Sequence, residues 1–170
     1  MNISQYLFLR KQRQLKHKSK YHSFKDVNNI LILFESELQE RHTCIKQLIK
    51  ELQNEGKEVT AWGYVDKKQV VTAIIRDFRV LDRQSYGLFH RPKKALVEEL
   101  QKMHLLIDLN TNSNLLELRY LTIYADADLK TGLAGYEEPY IHDMLISLNK
   151  QSPETTLLFD QILRYLKMIG

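Results

Sequence analysis

Five consecutive apolar residues, Ile30-Leu31-Ile32-Leu33-Phe34, follow the polar pair Asn28-Asn29, and no other feature restricts the fold as much. A strand that is apolar at every position has both faces covered, which is the situation of a central strand in a parallel sheet. The residues that follow fit that arrangement. Ser36 with Gln39 three positions on reads as a capping box, Leu38, Ile45, Leu48, Ile49 and Leu52 recur at helical spacing, and Gly56 supplies a stop, so a helix is expected over 37–55. Val59 to Val65 then reads as a second strand, with Trp62 and Tyr64 on one face and Ala61 and Gly63 on the other. Strand, helix, strand implies a parallel pair joined by a right-handed crossover.

The pattern continues to the end of the chain. After a turn at Asp66-Lys67-Lys68, Val70 to Ile75 and Phe78 to Leu81 read as extended. Pro92 suits a first helical position, and Leu96, Val97, Leu100 and Met103 carry that helix to about Met103. Leu105 to Leu109 is another central strand, the polar loop Asn110 to Asn114 caps a helix from about Leu115 to Ala125, and Leu129 to Leu133 is a further strand. Gly132 and Gly135 break the regularity, Asp143 to Leu148 reads as the last strand, and Ser152-Pro153-Glu154 opens a C-terminal helix. The expected architecture is three-layer α/β/α with a mostly parallel, Rossmann-like or flavodoxin-like sheet of five or six strands. It occupies residues 26–170 as one domain, preceded by a basic N-terminal helix or extension over 1–25.

Charge is distributed unevenly between those two parts. Residues 1–25 carry seven Lys/Arg and no acid, so the net charge of +4 belongs to this segment and the remainder is slightly acidic. On a helix, Arg10, Lys11, Arg13, Lys16, Lys18 and Lys20 point in nearly every direction, and only Ile3, Tyr6 and Leu7 share a face, which leaves no stripe to dock on a core. The same six residues, flanked by Tyr6, Phe8 and Tyr21, suit contact with nucleic-acid phosphates or an acidic protein partner; a solvated helix is the plainer alternative. No apolar run approaches the ~20 residues of a membrane span, the one cysteine, Cys44, precludes an internal disulfide, and a cytoplasmic location is expected.

Motifs for the common chemistries are missing. Glu35-Ser36-Glu37-Leu38 leaves the first strand without a glycine and with two carboxylates, unlike a dinucleotide or P-loop site; no cofactor is expected. The six histidines show no ligand spacing and one cysteine cannot build a thiolate centre, so no metal is expected either. Cys44 beside an apolar helix face reads as an inert thiol. Among the strand-end carboxylates, Asp108 interrupts an apolar strand and needs a partner if buried. With Asn110 and Asp143 it forms the weak candidate set for acid–base or Mg²⁺-assisted chemistry.

The order of motifs also resembles an uncharacterised family of small bacterial α/β proteins defined only by a domain of unknown function. The resemblance rests on the basic N-terminus, Gly63-Tyr64-Val65, His104-Leu105-Leu106-Ile107-Asp108-Leu109, the Lys130-Thr131-Gly132 turn and His142-Asp143-Met144-Leu145-Ile146. It covers most of the chain and implies neither substrate nor catalytic residues. Two readings of function therefore stand: a non-enzymatic binding module presenting its basic segment to nucleic acid, a ribonucleoprotein or an acidic partner, and a small hydrolase or transferase acting on a phosphorylated substrate through Asp108, Asn110 and Asp143. A homo-oligomer built on an aromatic surface that includes Trp62 and Tyr64 is a third, weaker one.

Overall fold

The apolar run lies within strand β1 (Asn29–Glu35), where six of seven residues are buried. In this computed structural model, which describes residues 3–14, 18–21, 23–36, 39–66, 77–100, 102–112, 114–134, 141–148 and 155–169, β1 pairs in parallel with β2 (Glu58–Tyr64) on one side and β4 (Met103–Asp108) on the other. β3 (Arg79–Leu81) extends the sheet beyond β2, and β5 (Ala127–Leu133) and β6 (Met144–Ile146) extend it beyond β4. The six strands run in the order β3-β2-β1-β4-β5-β6, all parallel. The chain thus builds outward from β1 in one direction and restarts at β4 in the other, placing a topological switch between the carboxyl ends of β1 and β4.

Alternation along the strands sorts the core into two layers. Ile30, Ile32, Phe34, Leu105 and Ile107 face α2 (Gln39–Asn54) and α5 (Thr155–Met168), whose Ile45, Leu48, Leu52, Leu158, Phe159 and Ile162 complete one cluster. Leu31, Leu33, Trp62, Tyr64 and Leu106 face α3 (Lys94–Glu98) and α4 (Leu116–Tyr124). Because sheet and helix bury both faces of each central strand, an alternating polar pattern is not needed.

The N-terminal helix departs from expectation. α1 (Ile3–Arg13) packs on the outer face of α4 through Phe8 and Gln12, both buried, while Ile3 and Tyr6 are exposed. Phe8 joins Leu116, Tyr120 and Ile123 in a third apolar cluster, edge-on to the Tyr120 ring and beneath the Arg119 guanidinium. One phenylalanine among cations is enough of an anchor here, because α4 is apolar on both sides and needs a second cover. All of α4 from Leu116 to Ile123 is consequently buried.

At the start of α2 the Ser36 hydroxyl lies 2.7 Å from His42 Nε2, and residues 37 and 38, within the expected capping box, fall outside the described residues. Three local readings change. Pro92 opens no helix: it bridges Tyr86 in antiparallel fashion, and the helix beyond it spans only Lys94–Glu98. The Asn110–Asn114 loop caps itself, with side-chain oxygens of Asp108, Asn110 and Asn112 each accepting the backbone N–H two residues on, and α4 begins without a side-chain cap. Gly132 lies inside β5 and does not end it. The Val70–Ile75 segment, Gly135 and Ser152-Pro153-Glu154 fall outside the described residues.

Candidate functional site

Ligands of open parallel sheets gather at the carboxyl ends of the strands, above all at the switch point. Here that crevice is occupied by the protein itself. Glu35, at the end of β1, accepts hydrogen bonds from the Thr111 backbone N–H (3.0 Å) and hydroxyl (3.3 Å) with one oxygen and from Arg41 (2.8 Å) with the other. The carboxylate ties the loop after β4 to the end of β1 and puts negative charge where a phosphate would need donors. Gly63 on β2 lets the arrangement close up, since a Cβ there would fall within 2.8 Å of both the Phe34 ring and Ser36 Cβ.

Asp108 and Asn110 are fully buried. Asp108 Oδ2 is met by the Thr122 hydroxyl at 3.0 Å and His142 Nε2 at 2.9 Å, and its Oδ1 by the Asn110 N–H. His142 reaches Asp108 across β5 by lying on Gly132, where a Cβ would come within 2.5 Å of Nε2. Below it, the buried Lys130 ammonium donates to the Thr122 carbonyl at 2.8 Å; burial lowers its pKa, while Asp143 and Asp126 pull the other way. Asp143 itself is exposed and accepts the Lys130 backbone N–H at 2.8 Å, with its own N–H returned to the Lys130 carbonyl. The three sequence candidates are thus neighbours along one seam, but Asp108 uses its oxygens to hold β4, α4 and the segment before β6 together, and Asn110 bonds within its own loop to Asp108 and Asn112. Asp108 has the partners that its burial demands.

A second buried carboxylate was not singled out in the sequence. Glu117, on the first turn of α4, accepts the Tyr64 hydroxyl at 2.9 Å, lies 2.5 Å from His90 Nδ1 and 3.8 Å from Arg83. Burial and the Glu117 charge raise the Tyr64 and Tyr86 phenols well above their usual range. These contacts fasten the loop between β3 and α3. Asp82 caps the Gln84 N–H, Lys93 N–H donates to the Ser85 carbonyl and Gly87 N–H to the Arg91 carbonyl, so the chain doubles back with Leu88-Phe89-His90 at its tip. Phe89 and His90 both have positive φ, 59° and 63°, which is costly without glycine.

The loop brings unexpected charge to the N-terminal helix. Between Asp82 and Glu98 there are four Lys/Arg, Arg83, Arg91, Lys93 and Lys94, and no acid; all four are exposed. This second acid-free stretch is the signal in the sequence that marks it, hidden by reading Pro92 as a helix start. α1 packs directly against the Leu88–His90 turn, and Arg91 lies beside Tyr120, the ring that Phe8 meets. Arg10 and Arg13 are exposed on α1, and Lys11 lies 5.3 Å over the Tyr124 ring. Among the described residues no ion pair neutralises Arg10, Arg13, Arg91 or Lys93. Lys18 and Lys20 are exposed, but Lys20 lies at the opposite end of the sheet, where its N–H donates to the Asp128 carbonyl and its side chain lines a cavity of about 330 Å³ with Tyr21, Asp26, Lys102 and His104. Lys16 lies outside the described residues.

Trp62 and Tyr64 are buried beneath α3 and α4, so the aromatic surface imagined for an oligomer is interior. Cys44 is half-buried with its sulfur 2.9 Å from the Thr156 hydroxyl. Among the described residues no group of three or more His, Cys, Asp or Glu side chains is arranged to hold a metal ion, and no helix is long and apolar enough to cross a membrane. No curated protein and no solved structure matches the chain significantly. The model of a family of unknown function, DUF6913, matches residues 2–169, α1 and the basic loop included, and the chain belongs to that family.

Proposed function

We propose that this protein is a non-enzymatic binding module that docks a nucleic acid on a basic face formed by α1 and the Arg83–Lys94 loop. One observation carries the reading: two acid-free basic segments, far apart in sequence, are packed against each other, and Arg10, Arg13, Arg91 and Lys93 have no carboxylate partner among the described residues. Clustered unpaired cations on a nearly neutral domain are the electrostatic footprint of a polyanion site. The docking of α1 strengthens the case, since fixed cations lose less freedom on binding than cations on a free arm. The rival reading, hydrolysis or group transfer through Asp108, Asn110 and Asp143, is weakened by the complete burial of the first two. The lone Cys44 suits a reducing, cytoplasmic setting.

Titration of labelled RNA and DNA oligonucleotides, repeated across salt concentrations, tests this. The pairs Arg10→Glu with Arg13→Glu and Arg91→Glu with Lys93→Glu should each weaken binding and flatten the salt dependence, by about 0.7–0.9 in slope for each phosphate that is no longer neutralised. Absence of binding to either nucleic acid at low salt, or slopes unmoved by both pairs, would sink the reading and leave an acidic protein as the partner to seek.

A further inference from the structure

We infer that the basic face takes single-stranded nucleic acid, with the Leu88-Phe89 tip as the place where an unpaired base stacks. The inference rests on the binding reading above and adds the form of the ligand. Phosphate attraction alone would be served by cations on a polar surface. This face instead carries two large apolar side chains at the apex of the basic loop, Leu88 at 81% and Phe89 at 40% exposure, with Arg91, Lys93 and Lys94 following within five residues. Tyr6, on the helix that packs against this turn, is 54% exposed. Duplexes hide their base faces, whereas single strands offer them, and an aromatic ring beside cations is the combination that accepts base and backbone together.

The tip is also held in place at a cost. Two successive residues other than glycine in the left-handed region persist only where their surroundings over-determine them. Here the fixing comes from His90 against the buried Glu117, from Tyr64 and Arg83 on the same carboxylate, and from the Tyr86–Pro92 bridge. All of these anchors lie on the inner side of the loop. The backbone of the tip is fixed by these anchors, by the Arg91 N–H on the Leu88 carbonyl and by α1 against the turn, while the Leu88 and Phe89 side chains stay exposed, so the loop presents a preformed apolar tip, which lowers the ordering cost of binding. An anionic bilayer would be drawn to the same charges, but stable interfacial seating needs a broad apolar face. α1 cannot provide one, because Phe8 is turned inward onto α4.

The full-length protein is titrated with labelled oligo-uridine and oligo-thymidine about 16 nucleotides long, within the span that such surfaces cover, and with a duplex of equal length. Anionic phosphatidylserine vesicles form a parallel arm. Single strands should bind more tightly than duplex. Phe89→Ala should weaken single-strand binding about 10-fold, from the usual worth of one stacked base, while leaving duplex affinity unchanged. Phe89→Trp keeps the ring and should bind at least as well, with its fluorescence quenched on binding above the unchanging background of buried Trp62. Equal affinity for duplex and single strand, or a Phe89→Ala variant that melts normally and binds both as before, overturns the inference while leaving the basic face as a docking site. Failure of all nucleic acids to bind removes the parent reading, and vesicle binding that exceeds single-strand binding reassigns the tip to a membrane surface.

Discussion

Gly132 owes its place to His142. The imidazole rests where a side chain would begin, and only from there does it reach Asp108. Gly132→Ala is therefore expected to act at a distance from its own methyl group, pushing His142 aside and leaving a fully buried carboxylate with fewer donors. Overpacking and a broken charged hydrogen bond together should cost about 3 kcal/mol, measurable by chemical denaturation. A loss below about 1 kcal/mol would mean that His142 is not needed where it lies. The Asp108 result also marks what single residues reveal in a sequence. An acid in an apolar strand announces that it needs partners, but Thr122 and His142, 14 and 34 positions away, carry no local mark of that role.

At the scale of elements, the covering of α4 by α1 separates a docked helix from a loose arm. Phe8→Ala should destabilise the fold by about 3 kcal/mol, as for a core phenylalanine, whereas on a solvated extension it would cost nothing. The neighbouring Gln12 provides the opposite test: its buried amide has no hydrogen-bond partner among the described residues, so Gln12→Leu should raise stability by about 1–2 kcal/mol. Urea titration reads both. Elements differed in how openly the sequence announced them. β1 and β4 were legible because strands buried on both faces are written as apolar runs, whereas β2 was legible from its β-branched and aromatic residues. α1 was legible as a helix but not as a docked one, since its anchor is one phenylalanine and an uncharged glutamine four residues on, set among cations. The hint lay in its partner: Leu118 and Leu121 face the sheet while Leu116, Tyr120 and Ile123 are apolar on the opposite side, which no exposed helix tolerates. The Arg83–Lys94 loop was misread because Pro92 fits a first helical position as well as it fits the edge bridge it makes.

For the molecule as a whole, the buried titratable groups set the response to alkali. Tyr64, Tyr86, Tyr120 and Tyr21 all have phenols raised by burial first, with Glu117 adding to the first two. Above pH 10 the unfolded chain loses phenolic protons that the native state keeps, so stability is intact below that pH and is lost as it rises. Lys130 works the other way: with its pKa lowered by burial, the native state releases its proton before the unfolded chain does, and stability gains between the lowered value and 10.5. Four phenols against one ammonium make the net change a loss. Absorbance near 295 nm should show part of the tyrosine titrating only together with unfolding, and smooth titration of all nine tyrosines in a folded protein would contradict the burial described.

The seating of α1 on α4 has a further consequence during synthesis. Phe8 and Tyr120 are about 110 positions apart, so the cationic helix leaves the ribosome roughly 5–20 seconds before its seat exists. Through that interval the nascent chain carries an unshielded positive helix with an apolar side, held beside a particle made largely of RNA. Only when α4 has formed does Phe8 have a place in the fold, and the pairings of α5 with α2 and Tyr21 close later still, so the cationic helix is seated before the last layer of the domain is complete.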